Sequence, residues 1–286
     1  MKEEKKRKSS LTRDTWHRLK KNKLAIIGLI VLALTTFISI LSPLIAPYDY
    51  SDQDLKNILE PPNWSHLFGT DNFGRDILSR IIVGSRVSLL VGFSTVMLSA
   101  SIGSILGILA AYYKFLEDII MRFIDILSGV PNLLLAIAIA AALGTGIRNM
   151  IMAISIAAIP KYARIMRATV LTIKEQEFIE AIRSIGANDS RIILRHILPN
   201  ALSPILVQST LGMATAIISS ATLSFLGLGI QPPSPEWGAM LSVGRDYLRQ
   251  AWFMAFFPGI AIVIVAYALN LLGDGLRDSL DPRLKK

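Results

Sequence analysis

The sequence predicts an all-α polytopic membrane protein that crosses the bilayer six times and keeps both termini in the cytoplasm. Three observations carry that prediction. Apolar residues fill 52% of the 286 positions and charged residues only 18%, a balance too apolar for a soluble domain of this size. Uncharged runs recur at the length a bilayer crossing needs, about 20 helical residues for a hydrocarbon core about 30 Å thick. Basic residues gather in two places, ten Lys or Arg against three acids in the first 23 residues and seven Lys or Arg between 161 and 200. Both clusters mark cytoplasmic segments.

Residues 1–23 form the basic cytoplasmic tail, and 24–48 the first span, Leu24 to Tyr48. That run is too long, and begins too late, for the apolar region of a cleaved leader, and no small-residue cleavage site follows it. Residues 49–86 form an extracytoplasmic loop with Asp49, Asp52, Asp54 and Glu60. Ile77, Leu78, Ile81 and Ile82 follow at helical spacing, which predicts a short interfacial amphipathic helix braced by Asp71, Arg75 and Asp76. The second span runs from Val87 to Tyr113. Ser99, Gly103, Gly107 and Ala111 give it a small-residue face for close helix packing, against another helix of this chain or of a partner subunit.

Arg122 and Asp125 precede the third span, Ile126 to Ile147, and are expected to pair, three residues apart on one helix. Asn149 to Pro160 is short for a crossing. Parity requires it as the fourth span, because three clear spans precede a basic segment that belongs on the side of the tail.

The segment 171–200 reads as two short charged helices meeting at a bend. Phe178, Ile182 and Ile185 form one apolar stripe on the first helix, beside Glu177, Glu180 and Arg183. Gly186 ends that helix and Asn188 or Asp189 caps the next, which carries Ile193 and Ile197 and stops at Pro199. The fifth span follows from Ala201 to Leu226. The second outer loop, 227–251, holds Pro232, Pro233, Pro235 and Trp237, with Arg245, Asp246 and Arg249 on a helix. The sixth span, Gln250 to Gly273, leads to a cytoplasmic tail, 274–286.

Glu180-Ala181, Gly186-Ala187 and Leu198-Pro199-Asn200 stand in the order of the EAA loop of binding-protein-dependent ABC importers, which this chain resembles. The stretches 68–89, 226–248 and 271–284 are similar to the second permease of the dipeptide, oligopeptide and nickel branch. The resemblance implies the type I ABC importer permease fold, with a core from 87 to 273. It implies that Glu180, Ala181, Arg183, Gly186, Ala187 and Asp189 couple the permease to an ATPase. Its expected partners are a homologous permease, two ATPase subunits, an extracytoplasmic substrate-binding protein and membrane lipid. The expected cargo is a di- or oligopeptide, with nickel or a metal chelate as the alternative. Asp71, Arg75, Asp76, Trp237 and Arg245 are candidates for contact with the binding protein; a structural role inside the loops, or at the membrane interface for Trp237, is the other reading.

Several chemistries lack their residues. There is no cysteine, and His17, His66 and His196 show no metal-ligand spacing, so no metal site is expected. No G-K-[ST] loop occurs to cradle a nucleotide, so ATP hydrolysis is assigned to another chain and no cofactor is expected. The net charge of +9 lies mainly in cytoplasmic segments, so nucleic acid is not an expected partner. A self-powered carrier is the rival class, and it lacks an internal repeat here. An intramembrane enzyme would need Ser-nucleophile or HExxH signatures, and these are missing.

Overall fold

Local signals in the sequence set where several helices begin. In the computed structural model, which describes residues 11–231 and 233–280, Asn22 Oδ1 accepts the Ala25 N–H at 3.2 Å and starts α2 (Lys23–Ile40), after a short α1 (Leu11–Leu19). Pro43 lies in the first turn of α3 (Ser42–Ile45). Asp76 caps α4 (Ile77–Tyr112), its Oδ2 accepting both the N–H and the hydroxyl of Ser79 at 2.7 Å. The remaining helices are α5 (Lys114–Ser128), α6 (Asn132–Leu143), α7 (Ile147–Lys174), α8 (Glu177–Ser184), α9 (Asp189–Ile192), α10 (Leu198–Phe225), α11 (Trp237–Asp246) and α12 (Phe253–Leu280). The first ten residues of the basic tail, Pro232 and residues 281–286 of the C-terminal tail lie outside the described residues.

Among the described residues, four helices are long and apolar enough to cross a membrane, or five if the bent pair α5 and α6 counts as one span. The four are α2, α4, the run Asp189–Phe225 and α12. Large apolar side chains such as Ile27, Ile30, Leu34 and Phe37 of α2 face outward. That is the arrangement a lipid-facing helix takes.

Four expectations about elements change. Residues 77–82 do not form a separate interfacial helix but the first turns of α4, because nothing from Ile77 onward breaks the backbone ladder. At about 1.5 Å per residue, α4 is about 54 Å long, far more than a bilayer core. The third span is broken: α5 and α6 meet at 89° across Gly129–Pro131. Pro131 is itself extended, with ψ 133°, and its ring and missing N–H disfavour continuation of the helix from α5. The fourth helix does not end at Pro160 but passes through it to Lys174. Pro199 does not stop the helix before it either. A π turn, Ile193–Ile197, carries α9 into α10, with the Leu198 N–H bonded to Ile193 O. Pro199 then lies at the start of α10, where an N–H is not needed.

The centre of the bundle is α4 against α7. The small-residue face serves this contact: a β-carbon at Gly103 would lie 2.6 Å from Tyr162 Cβ, and one at Gly107 would lie 2.5 Å from Ala163 O. The two helices touch so closely that only glycine fits. One apolar cluster joins Ile108 and Tyr112 of α4 to Tyr162, Met166 and Val170 of α7, and continues to Ile179, Ile192 and Ile197. The short helices α8 and α9 are thus anchored to the core rather than hung from it.

Candidate functional site

The hairpin of α8 and α9 is built almost entirely by local rules. Glu177 and Glu180 lie in the first turn of α8 and Arg183 in its last, the polarity that complements the helix dipole. The helix ends in a Schellman motif: the Ala187 N–H donates to Ile182 O at 3.3 Å and the Gly186 N–H to Arg183 O at 3.0 Å. Gly186 has φ +81°, and no atom lies within 4 Å of where its β-carbon would be. Glycine is needed here for its backbone conformation, not for space. Asn188 Oδ1 accepts the Arg191 N–H at 3.0 Å and starts α9.

Tertiary packing decides which side faces out. The expected stripe of Phe178, Ile182 and Ile185 is replaced by Ile179, which is buried, and the half-buried Ile182; Ile185 is 83% exposed and Phe178 is exposed too. Both sets fit a 3.6-residue period over two turns, and packing against Ile192 and Ile197 selects Ile179. On the second arm it is Ile192, with Ile197, that is fully buried, while Ile193 is half-buried. Glu180, Ala181, Arg183, Gly186 and Asp189 are all exposed, and Ala187 is half-buried. The outer surface therefore carries Phe178, Ile185 and Leu194 among Glu180, Arg183, Arg191 and Arg195. An apolar patch with a charged rim is the composition of a protein contact.

Beneath this surface lie two residues that sequence reasoning passed over. Tyr112, the last residue of α4, donates its hydroxyl to Asp189 Oδ1 at 2.6 Å. Lys174, the last residue of α7, donates to Ala111 O and Tyr112 O, each at 3.2 Å, and sits over the Tyr112 ring at 5.3 Å. These contacts join residues more than sixty positions apart, so no local pattern announces them.

The expected pair of Arg122 and Asp125 does not form. Asp125 Oδ1 accepts instead from Arg164 of α7 at 2.7 Å, and Glu117 of α5 pairs with Arg167. The α5 acids meet the basic face of α7 because the two helices pack side by side.

At the other end of α4, residues 46–76, 227–231 and 233–251 form a cap. Asp71, Arg75, Asp76 and Trp237 are buried there, and only Arg245 of the five candidates is exposed. Asp71 Oδ2 accepts from Arg75 Nε at 2.7 Å and lies 3.6 Å from Arg80 Nε; its Oδ1 accepts the N–H groups of Phe73 and Arg75. Asp76 Oδ1 lies 3.0 Å from His66 Nδ1. The Trp237 indole donates to Ile81 O at 3.0 Å, and Glu236 caps α11 through the Ala239 N–H at 2.8 Å. On the surface of the cap, hydrogen bonds from the Ser51 hydroxyl and N–H hold the Asp49 carboxyl below its ordinary range. Among the described residues, no group of three or more His, Cys, Asp or Glu is placed to hold a metal ion.

The region from the close-packed face of α4 through the hairpin to the C-terminus, residues 103–286, matches the family of binding-protein-dependent transport system inner membrane components. The chain belongs to this family. Residues 10–62 match the N-terminal transmembrane domain of oligopeptide transport permease C, which makes the chain a permease of the C type. This permease is 45% identical to the dipeptide transport system permease DppC of Alkalihalophilus pseudofirmus, over 96% of this chain and 90% of that protein. It is 44% identical to the di/tripeptide transport permease of Pseudomonas aeruginosa, over 96% and 92%. It is 47% identical to the glutathione transport permease GsiD of Escherichia coli, over 95% and 90%. The membrane fold is shared with inward-facing structures of the MetNI methionine ABC transporter, at a TM-score of 0.57 and 20% identity over 71% of this chain and 97% of that one. Residence of the permease in the cytoplasmic membrane follows from its family.

Proposed function

We propose that this permease is the C-type membrane subunit of an ATP-driven importer of di- or oligopeptides, coupled to its ATPase through the hairpin of α8 and α9. The observation that carries the proposal is the two-sided build of that hairpin. Its inner side is continuous with the α4 and α7 core, and its outer side presents Glu180, Ala181, Arg183, Gly186 and Asp189 to a partner. A rigid element set on a core transmits displacement where a free loop would absorb it. The peptide cargo rests on relatives named for dipeptide, di/tripeptide and glutathione transport, and these do not favour the nickel alternative.

In this reading the chain crosses the membrane six times, through α2, α4, the bent pair of α5 and α6, α7, α10 and α12, with both termini in the cytoplasm. Arg164 and Arg167 of α7 are paired with Asp125 and Glu117 of α5, which lowers the cost of holding charge near the bilayer. A homologous permease completes the pathway, two ATPase subunits hydrolyse ATP, and a binding protein delivers the peptide to the cap. There Arg245 faces the binding protein, while Asp71, Arg75, Asp76 and Trp237 shape the contact from inside.

The test is transport in reconstituted vesicles. Glu180→Lys and Gly186→Val are expected to leave ATP hydrolysis running while uptake of a labelled dipeptide is lost. Wild-type uptake in both variants would remove the hairpin from its role.

A further inference from the structure

We propose that Tyr112 is a positioning residue for coupling: its hydroxyl pins the second arm of the hairpin to the end of α4, so that hairpin displacement is delivered to that helix. This rests on the assignment of the hairpin as the ATPase contact and adds the route by which its movement reaches the core.

The hairpin has covalent links to two helices. It joins α7 through Glu175 and Gln176, and α10 through the π turn, where the regular ladder is interrupted. It has no direct chain link to α4, so any movement passed to that helix travels through noncovalent contacts. The apolar cluster supplies contact without direction, and Tyr112 supplies direction. Its hydroxyl donates at 2.6 Å to Asp189 at the start of α9, just past the Gly186 bend. A hydrogen bond to a carboxylate is short and strong compared with a neutral one.

Lys174 fixes the pin itself. Its ammonium occupies the last carbonyls of α4, where the helix dipole is negative, and lies against the Tyr112 ring. The same lysine ends α7, so the pin gathers α4, α7 and α9 at one point. Asp189 thus gains a second role: besides facing a partner, it grips the core.

The experiment compares variants of the permease assembled with its partner permease, ATPases and binding protein in vesicles, and measures labelled dipeptide taken up per ATP hydrolysed. Tyr112→Phe removes only the hydroxyl and is expected to lower that ratio about tenfold, the scale of one hydrogen bond to a charged group. Asp189→Asn keeps a neutral acceptor and is expected to lower it less, and the double variant should match Tyr112→Phe alone. Thermal unfolding of the assembled complex controls for a structural role: a lowered melting temperature with an unchanged uptake-to-ATP ratio would overturn the proposal, as would additive losses in the double variant. If Glu180→Lys and Gly186→Val uncouple the complex while Tyr112→Phe does not, the pin fails and the hairpin assignment stands. If all three behave as wild type, both fail.

Discussion

At the cap end of α4, Asp71, Arg75 and Asp76 turn inward and are 6%, 4% and 3% exposed, whereas at the hairpin end Glu180, Arg183 and Asp189 are exposed, Asp189 while accepting the Tyr112 hydroxyl. Both regions are short, charged segments beside the ends of long helices, and both use carboxylates to cap or brace turns. They differ in what covers them. In the cap, α11 and the start of α12 close over the charges, with Phe68 stacked on Phe257 at 4.0 Å. Among the described residues nothing closes over the hairpin, and its apolar residues Ile185 and Leu194 stay exposed. A covered charge is committed to the fold; an uncovered one remains free to meet another molecule.

That contrast orders the expected effects of substitution. Asp71→Ala leaves Arg75 and Arg80 buried without their carboxylate and is expected to cost about 3–5 kcal/mol, the scale for breaking a buried ion pair. Thermal unfolding in detergent measures it, and a near-wild-type melting temperature would show that the cap is not the structural half of the pair. Asp76→Ala removes the cap of α4 and the His66 contact, for a loss of about 1–2 kcal/mol in the same assay. Gly186→Ala places a side chain at φ +81° and is expected to cost about 1–2 kcal/mol, all of it from the local backbone and none from packing against other segments. Smallest of all in stability is Glu180→Lys, within about 0.5 kcal/mol, because the side chain is exposed. Yet this is the variant expected to abolish dipeptide uptake, so a hairpin change that moves melting temperature rather than transport would erase the contrast.

Much of the hairpin was legible because its determinants lie within a few residues of one another. Gly186 past a helix end, Asn188 before the next helix and acids in the first turn each act through the local backbone. Pro131 was a local signal that the unbroken third span, Ile126 to Ile147, passed over, and the 89° break lies beside it. Pro160 and Pro199 show the limit of that signal: packing carries one helix through its proline, and a π turn absorbs the other. The partner of Asp125 was not legible. Arg122 is near in sequence, but Arg164, 39 residues away, is the side chain that packing brings to 2.7 Å.

Composition, uncharged runs and caps were enough, taken alone, to establish an all-helical membrane chain with a charged hairpin bent at Gly186. Those properties follow from solvent preference and backbone conformation, which each residue carries with it. Which charges are buried, which face of α8 points outward and which tyrosine holds the hairpin were decided only when distant segments met. Trp237 reaches Ile81, and Tyr112 reaches Asp189, across separations of 156 and 77 residues. Burial is a property of the neighbours that fold over a residue, and a linear sequence does not say which neighbours those are.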